Sequence, residues 1–517
     1  MPYVYAYGSG TENDPYQVWT ADDLDGVRDH LSSHFKQMDD IDMSGWGNFT
    51  PIAYDDWDNV FTGKYNGNNK EIIDIQIQEE AYVALFGLVG GGGTFTNIIF
   101  VNPIVTAMDT NAGCLIGFVW RDSGDSGELI LVENCHIKTA GGGAATITTH
   151  PSGDWAFGVG GIVSEAYPNI KISKCSVTGD VTISSSASSV RGWHSGGIAG
   201  YIGKTALIEE CYVGETVLVE ANERSGGIVG SLEGGKILNC YSRAGVWAKD
   251  KGGGICGRAG KWDSDVAELE HVYFAGTITE AGSGSDFGGL IGDDAAPGET
   301  IITNSYYDSV TSGQSDTGKG EPRTTAQMVY PYTDKHASGT YVDWEFEEKH
   351  ITDLTNFDFV FGDPPIWAHD HDESLNDGYP VLLWTVPDIE ILVSKCIPFL
   401  FKVLYWGDKH IITSDNYIID TCDRYGPDRA FSPYQYLADA IGEDVEYDGY
   451  EMIMGGHDIT EWIKEFDYEE YLPVRVIAQD YFDWRVQWDY VARVVYLDKN
   501  VIEKYMNALP FGTINYL

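Results

Sequence analysis

The chain has 517 residues, more than one hydrophobic core usually organises, and 43% of them are apolar, which supplies a packed interior for two or three structural units. Its 32 Lys and Arg against 79 Asp and Glu give a net charge of −47; so acidic a surface repels phosphate backbones and anionic membrane faces, and nucleic-acid binding is excluded as a function class. High Gly (61), Tyr (32) and Trp (15) with little Lys indicate an exposed β architecture, and no apolar run of 18 residues predicts a membrane-spanning helix.

Residues 1–60 read as an N-terminal cap. The opening Met1–Gly10 has neither a basic n-region nor an apolar h-region, so no signal peptide is expected there. The acidic stretch Asp22–Leu31 suits a short helix over the open end of a stacked structure.

Residues 61–310 carry an internal repeat. A phrase of a small residue, Gly, an aliphatic, an aliphatic or small residue and Gly recurs, with single departures: Phe86-Gly-Leu-Val-Gly90, Gly113-Cys-Leu-Ile-Gly117, Gly160-Gly-Ile-Val-Ser164, Gly196-Gly-Ile-Ala-Gly200, Gly226-Gly-Ile-Val-Gly230, Gly253-Gly-Ile-Cys-Gly257 and Gly288-Gly-Leu-Ile-Gly292. Its second position falls at Gly87, Cys114, Gly161, Gly197, Gly227, Gly254 and Gly289, and this uneven spacing fits a fixed core with variable loops. A second phrase follows, as in Val132-Glu-Asn-Cys-His136, Ile172-Ser-Lys-Cys-Ser176, Ile208-Glu-Glu-Cys-Tyr212 and Ile237-Leu-Asn-Cys-Tyr241. Two strand-like phrases per repeat joined by Gly- and Asn-rich turns predict one coil of a right-handed parallel β-solenoid, with glycines where a Cβ would clash. Cys135, Cys175, Cys211 and Cys240 hold one place in successive coils, so they are expected as an inward ladder of small side chains. They lack the short C-x₂₋₄-C spacing of a zinc site, and the distance between rungs leaves disulfides geometrically open.

These repeats resemble the GLUG motif of bacterial, archaeal and viral surface proteins. The resemblance extends to Gly8-Ser-Gly-Thr-Glu-Asn-Asp-Pro-Tyr-Gln-Val18, Thr20–Leu24, Phe61–Gly67, Thr324–Met328, Trp367 and Gly378–Trp384, and covers roughly residues 8–385. It implies a display scaffold of the kind found in adhesins and viral fibres, and it carries no catalytic residues to transfer. Residues 311–386 are then a C-terminal cap, with a short helix near Thr325–Val329 and closure at Tyr379–Trp384.

After Pro387 the glycine repeats stop. Phe399–Tyr405, His410–Asp420, Val474–Ala478 and Val491–Leu497 read as strands, and Pro433–Ile441 and Ile459–Phe466 as short helices. Residues 387–517 are expected to form a smaller β-rich, α+β domain that attaches the solenoid.

Three sets of side chains are candidates for chemistry. Trp120, Trp155, Trp193, Trp247 and Trp262 fall between the core phrases, in what read as loops, where exposed rings stack on sugars or partners. His369, His371 and Asp372 form the densest set of possible metal ligands, against a solvated acidic loop as the plainer account; calcium on oxygen ligands also suits so acidic a surface. Asp286, Asp293, Asp294 and Asp308 offer the carboxylates a glycoside hydrolase needs, yet Asp and Glu are common enough for chance placement, and no enzymatic activity is expected.

The reading that follows is a structural surface protein of a virion, a head or tail fibre or spike. Its solenoid adheres to a host surface glycan or receptor, and residues 387–517 dock onto other virion proteins, with homo-oligomerisation in keeping. A secreted cell-surface adhesin and a polysaccharide-degrading tail spike are the alternatives.

Overall fold

A computed structural model describes residues 2–54, 56–119, 128–150, 155–167, 169–185, 191–260, 266–282, 284, 286–295, 300–330, 339–346, 366–370, 375–385, 410–412, 418–420, 453–454 and 457–458. The chain divides into two compact units, Met1–Trp344 with His371–Tyr379, and Glu345–Asp370 with Pro380–Leu517.

The first unit is a parallel β-solenoid whose coils each pass through four sheets, here numbered I to IV in chain order. One coil runs through Ile170–Ser173 and Ser176–Val177 in sheet I, Val181–Ser184 in sheet II, Arg191–Gly196 in sheet III and Ala199–Ile202 in sheet IV, then returns to sheet I at Leu207–Glu209. Sheet I has 18 strands, sheets II and IV seven each and sheet III six, all parallel to their neighbours. The two repeated phrases are therefore sheets IV and I. Sheets II and III occupy the stretches where the sequence predicts turns.

The stack begins earlier than residue 61. Tyr16–Val18 pairs with His34–Gln37, which pairs with Lys64–Ile73, so part of the expected cap is already solenoid. The expected helix is present as Ala21–Gly26, where Thr20 and Asp23 close a capping box and satisfy N-terminal amides that a helix cannot pair internally. At the other end Glu321–Arg323 pairs with Tyr306–Asp308, and the helix Thr325–Met328 follows.

Inside, each coil adds one residue to each file. Ile98, Cys135, Cys175, Cys211, Cys240, Val272 and Ser305 share one file on sheet I, and all are buried. The cysteines are free thiols, so the ladder holds no disulfide. Cys175 Sγ, Cys211 Sγ and Cys240 Sγ each donate to the carbonyl two residues earlier at 3.2 Å. Ser305 Oγ donates to Thr303 O in the same way at 2.7 Å. The residue before each file member sits at a corner with positive φ: Asn97, Asn134, Lys174, Glu210, Asn239, His271 and Asn304. Asn tolerates this left-handed conformation best among residues with a side chain, which explains its recurrence there.

The second glycine of the phrase is required by contact. A Cβ at Gly161, Gly197, Gly227, Gly254 or Gly289 would overlap the carbonyl of the next glycine in the column, or a ring stacked against it. Gly87 is not in that column. Phe86 pairs with Ile116, and Ile116 with Val163, which puts Gly87 beside Gly117 and gives the second position to the buried Ala84. The sequence allowed either frame because Val83-Ala-Leu-Phe-Gly87 and Phe86-Gly-Leu-Val-Gly90 overlap.

In the second unit Trp367–Ala368 pairs antiparallel with Val381–Leu382. Two further antiparallel pairs join His410–Ile412 with Ile418–Asp420, and Ile453–Met454 with His457–Asp458. Of His410–Asp420, expected as one strand, His410–Ile412 and Ile418–Asp420 are two strands paired antiparallel. The expected border between 386 and 387 falls inside this unit, which starts at Glu345. The strands expected at Phe399–Tyr405, Val474–Ala478 and Val491–Leu497 and both helices lie outside the described residues. Among the described residues no helix is long and apolar enough to cross a membrane.

Candidate functional site

Sheets III and IV meet at the glycine phrase, and the residues flanking it form two facing files along the solenoid. On sheet III the file is Gly158, His194, Arg224, Lys251 and Asp286. On sheet IV it is Phe118, Glu165, Tyr201, Ser231, Arg258 and Asp293. Asn111 precedes the sheet III strand Ala112–Gly113, which pairs with Val159–Gly160, so it continues the first file beside Gly158. Within each coil the two file members are seven residues apart, as His194 and Tyr201 are.

The seam between these files has two halves. In the first, rings from successive coils touch in a continuous track: Trp57, Tyr82, Phe118, Tyr167, Tyr201, His194, Trp193 and Phe157, each step between 5.0 and 5.9 Å. Trp57, Tyr167 and Phe157 expose 37%, 43% and 38% of their surface, an accessible apolar strip in a chain of high net charge. Glu165 lies within this half and is buried; its Cγ occupies the space a side chain at Gly158 would need. Burial pushes its carboxyl up to about 7, assisted by the nearby Glu233 and opposed by the Asn111 amide. The Tyr167 hydroxyl is pushed up to about 12 by burial and by Glu165 and Glu233.

In the second half the residues neutralise one another. Tyr201 Oη donates to Glu233 Oε2 at 2.8 Å, and Arg258 Nη1 lies 3.7 Å from Glu233 Oε1. Arg258 Nε is 3.6 Å from Asp293 Oδ2, while Lys251 Nζ is 3.2, 3.3 and 3.7 Å from Asp286, Asp250 and Asp293. His194 is buried, with Nδ1 2.8 Å from Ser231 Oγ and 3.3 Å from Arg224 Nη1. Burial, then Arg224 and Arg258, hold its pKa well below the usual imidazole range, so the ring is neutral. The Arg224 guanidinium lies 5.6 Å from the Trp193 ring, within cation–π range.

Of the five tryptophans expected to bind, Trp193 lies on this seam. Trp155, Trp193 and Trp247 sit in strands, not loops. Trp247 is on sheet II, away from the seam, with Lys249 Nζ 5.7 Å from its ring. Trp120 and Trp262 lie outside the described residues. His369 stacks on Phe346 at 4.4 Å, a packing contact; His371 and Asp372 lie outside the described residues. Among the described residues no group of three or more His, Cys, Asp or Glu is arranged to hold a metal ion. Of the four aspartates, Asp286 and Asp293 converge on Lys251, and Asp294 accepts from Thr300 Oγ1. Asp308 is buried, capping the helix Ser309–Ser312 and accepting from Tyr379 Oη at 2.6 Å, which makes it structural.

Phe118, Tyr167, Glu165, Tyr201 and Glu233 went unseen from sequence. Phe118, Glu165 and Tyr201 stand five residues, and Tyr167 and Glu233 seven, after the first position of their phrase, variable places that a search for repetition discards.

No protein-family model matches the chain. It is 28% identical over 392 residues to a candidate Gly-rich membrane protein of Evansella cellulosilytica, covering 66% of this chain and 44% of that protein. It is also 28% identical over 123 residues to a halomucin of Haloquadratum walsbyi, covering 21% of this chain and 1% of that protein. The chain thus spans less than half the length of either relative. Among solved structures it is similar to a candidate immunoglobulin A1 protease from Bacteroides ovatus, with a TM-score of 0.46 and 17% identity over 74% of this chain and 96% of that one. The parallel solenoid stands on the strand pairing of the chain itself.

Proposed function

We propose that this protein is a surface-displayed scaffold that holds an extended carbohydrate chain along the seam between sheets III and IV. The observation that carries this reading is the unbroken aromatic track, which crosses several coils and leaves Trp57, Tyr167 and Phe157 partly exposed to solvent. Flat rings at regular steps suit the apolar faces of successive sugars, and aromatic side chains carry a large share of contact energy where they are accessible. Titration of the full chain against a glycan panel tests it. Tyr167→Ala and Trp193→Ala should each weaken binding about tenfold, the loss of roughly 1.4 kcal/mol, while Trp247→Ala on sheet II should leave it unchanged. Equal losses from all three would place the ligand elsewhere.

The sequence placed such a scaffold on a virion, with a cell-surface adhesin as the alternative. Relatives named as a membrane protein and a halomucin favour the cell envelope. Antibody against the chain should label intact cells of its source; labelling confined to purified virus particles would restore the virion.

A second reading is supported by Glu165 and Glu233. One is a buried carboxyl that keeps its proton near neutral pH, and the other is paired with Arg258 and Tyr201, a division of roles suited to glycoside hydrolysis. Release of reducing ends that disappears in Glu165→Gln would establish it.

A further inference from the structure

The aromatic half of the seam contains polar atoms that the fold buries and leaves without partners. Asn111 is only 3% exposed, and its Nδ2 closes no hydrogen bond of good geometry even though Glu165 is its neighbour. Thr110 Oγ1, one residue earlier, is likewise buried and unpartnered, and so is Arg224 Nε at the far side of Tyr201 and His194. Buried polar atoms are nearly always satisfied, and one left alone costs about 1–3 kcal/mol. These three share a chemistry: each has a hydrogen to give. Asn111 and Thr110 lie where the track passes from Tyr82 to Phe118, and Tyr82 itself is held at φ 54°, strained backbone for so large a residue.

We propose that Thr110, Asn111 and Glu165 form a subsite that reads the hydroxyls of one uncharged sugar ring stacked over Phe118 and Tyr167. This rests on the carbohydrate reading above and adds the class of sugar. The donors call for acceptor oxygens, which hydroxyl and ring oxygens supply. A protonated Glu165 adds one more donor beside Asn111. An acidic sugar does not fit the same place. Glu233 lies close enough to raise the Glu165 carboxyl, and Lys251 and Arg258 already face Asp286, Asp293 and Glu233. A uronate carboxylate would therefore meet like charge, and the remaining seam cation, Arg224, lies beyond Tyr201 and His194 against the Trp193 ring.

The test is calorimetric titration of the full chain with uncharged gluco-, manno- and galacto-configured hexasaccharides and with the matching hexauronates. At least one uncharged hexasaccharide should bind, and its hexauronate about tenfold or more weakly. Asn111→Ala should cost about tenfold in that affinity and Thr110→Val a few-fold, with melting curves confirming that both variants fold. Tighter binding of a hexauronate, or unchanged affinity in both variants, overturns the subsite. If Tyr167→Ala still weakens binding about tenfold in that case, the aromatic track stands without it. If none of the sugars binds, both readings fall.

Discussion

The inner files of the solenoid and the outer seam are built on the same rungs but obey opposite rules. Inside, one solution repeats: Cys135, Cys175, Cys211 and Cys240 occupy identical slots, and Gly161, Gly197, Gly227 and Gly254 each meet the carbonyl of the next glycine in the column. On the seam no two rungs match: His194 faces Tyr201, Arg224 faces Ser231, Lys251 faces Arg258 and Asp286 faces Asp293. Repetition marks positions chosen for stacking, where each slot has the shape of the last. Variation along these half-buried files marks positions freed for another purpose, since a stack built only for stability would reuse its best pair.

This contrast is breakable by mutation. The largest effect is expected inside, at the glycine column: Gly227→Val would drive a branched side chain into Gly254 O and Ser242, and should cost roughly 3 kcal/mol or more in chemical denaturation. A cost below about 1 kcal/mol would show that neighbouring coils can slide apart, and that the column is not rigid.

On the seam, Glu165 should make stability depend on pH. Its folded pKa of about 7 is raised from the usual glutamate value of 4.5, so between these values the folded state holds a proton that the unfolded chain has lost. Stability should therefore fall as pH rises from 4.5 to 7, by about 3 kcal/mol for a shift of this size, and level off above. Glu165→Gln should flatten that window in urea denaturation at stepped pH; an unchanged slope would mean that other groups produce it.

The smallest effect is expected in the cysteine ladder. Ser305 already fills the same slot two rungs on from Cys240, accepting from Val272 N at 3.2 Å just as Cys211 Sγ accepts from Cys175 N at 3.4 Å. Cys211→Ser can reuse both hydrogen bonds and should cost less than about 1 kcal/mol by thermal melting. A large loss would mean that sulfur packing, not hydrogen bonding, selects the ladder.

Much of the fold was legible in the chain because stacking imposes periodic demands. The Gly-Gly phrase and the aliphatic-x-x-Cys phrase each mark a sharp backbone event, a close approach in one case and a left-handed corner in the other, and few residues satisfy either. Sheets II and III were not legible, since Val181–Ser184 is only four residues long and Arg191–Gly196 carries two glycines, and neither stands out as a strand until neighbours above and below pair with it. The frame of the first repeat was likewise ambiguous, and only pairing of Phe86 with Ile116 moved Gly87 out of the glycine column. The tryptophans were recognised as unusual, but their side of the molecule was not. Trp193 and Trp247 both sit mid-strand, and it is the path of the coil through four sheets that sends one to the seam and the other to sheet II. Sequence alone determined that the coils stack, because each rung repeats a local requirement. Which side chains meet across sheets III and IV was decided by the tertiary structure, because Glu165, Tyr201 and Glu233 come from three different coils and share no pattern in the chain.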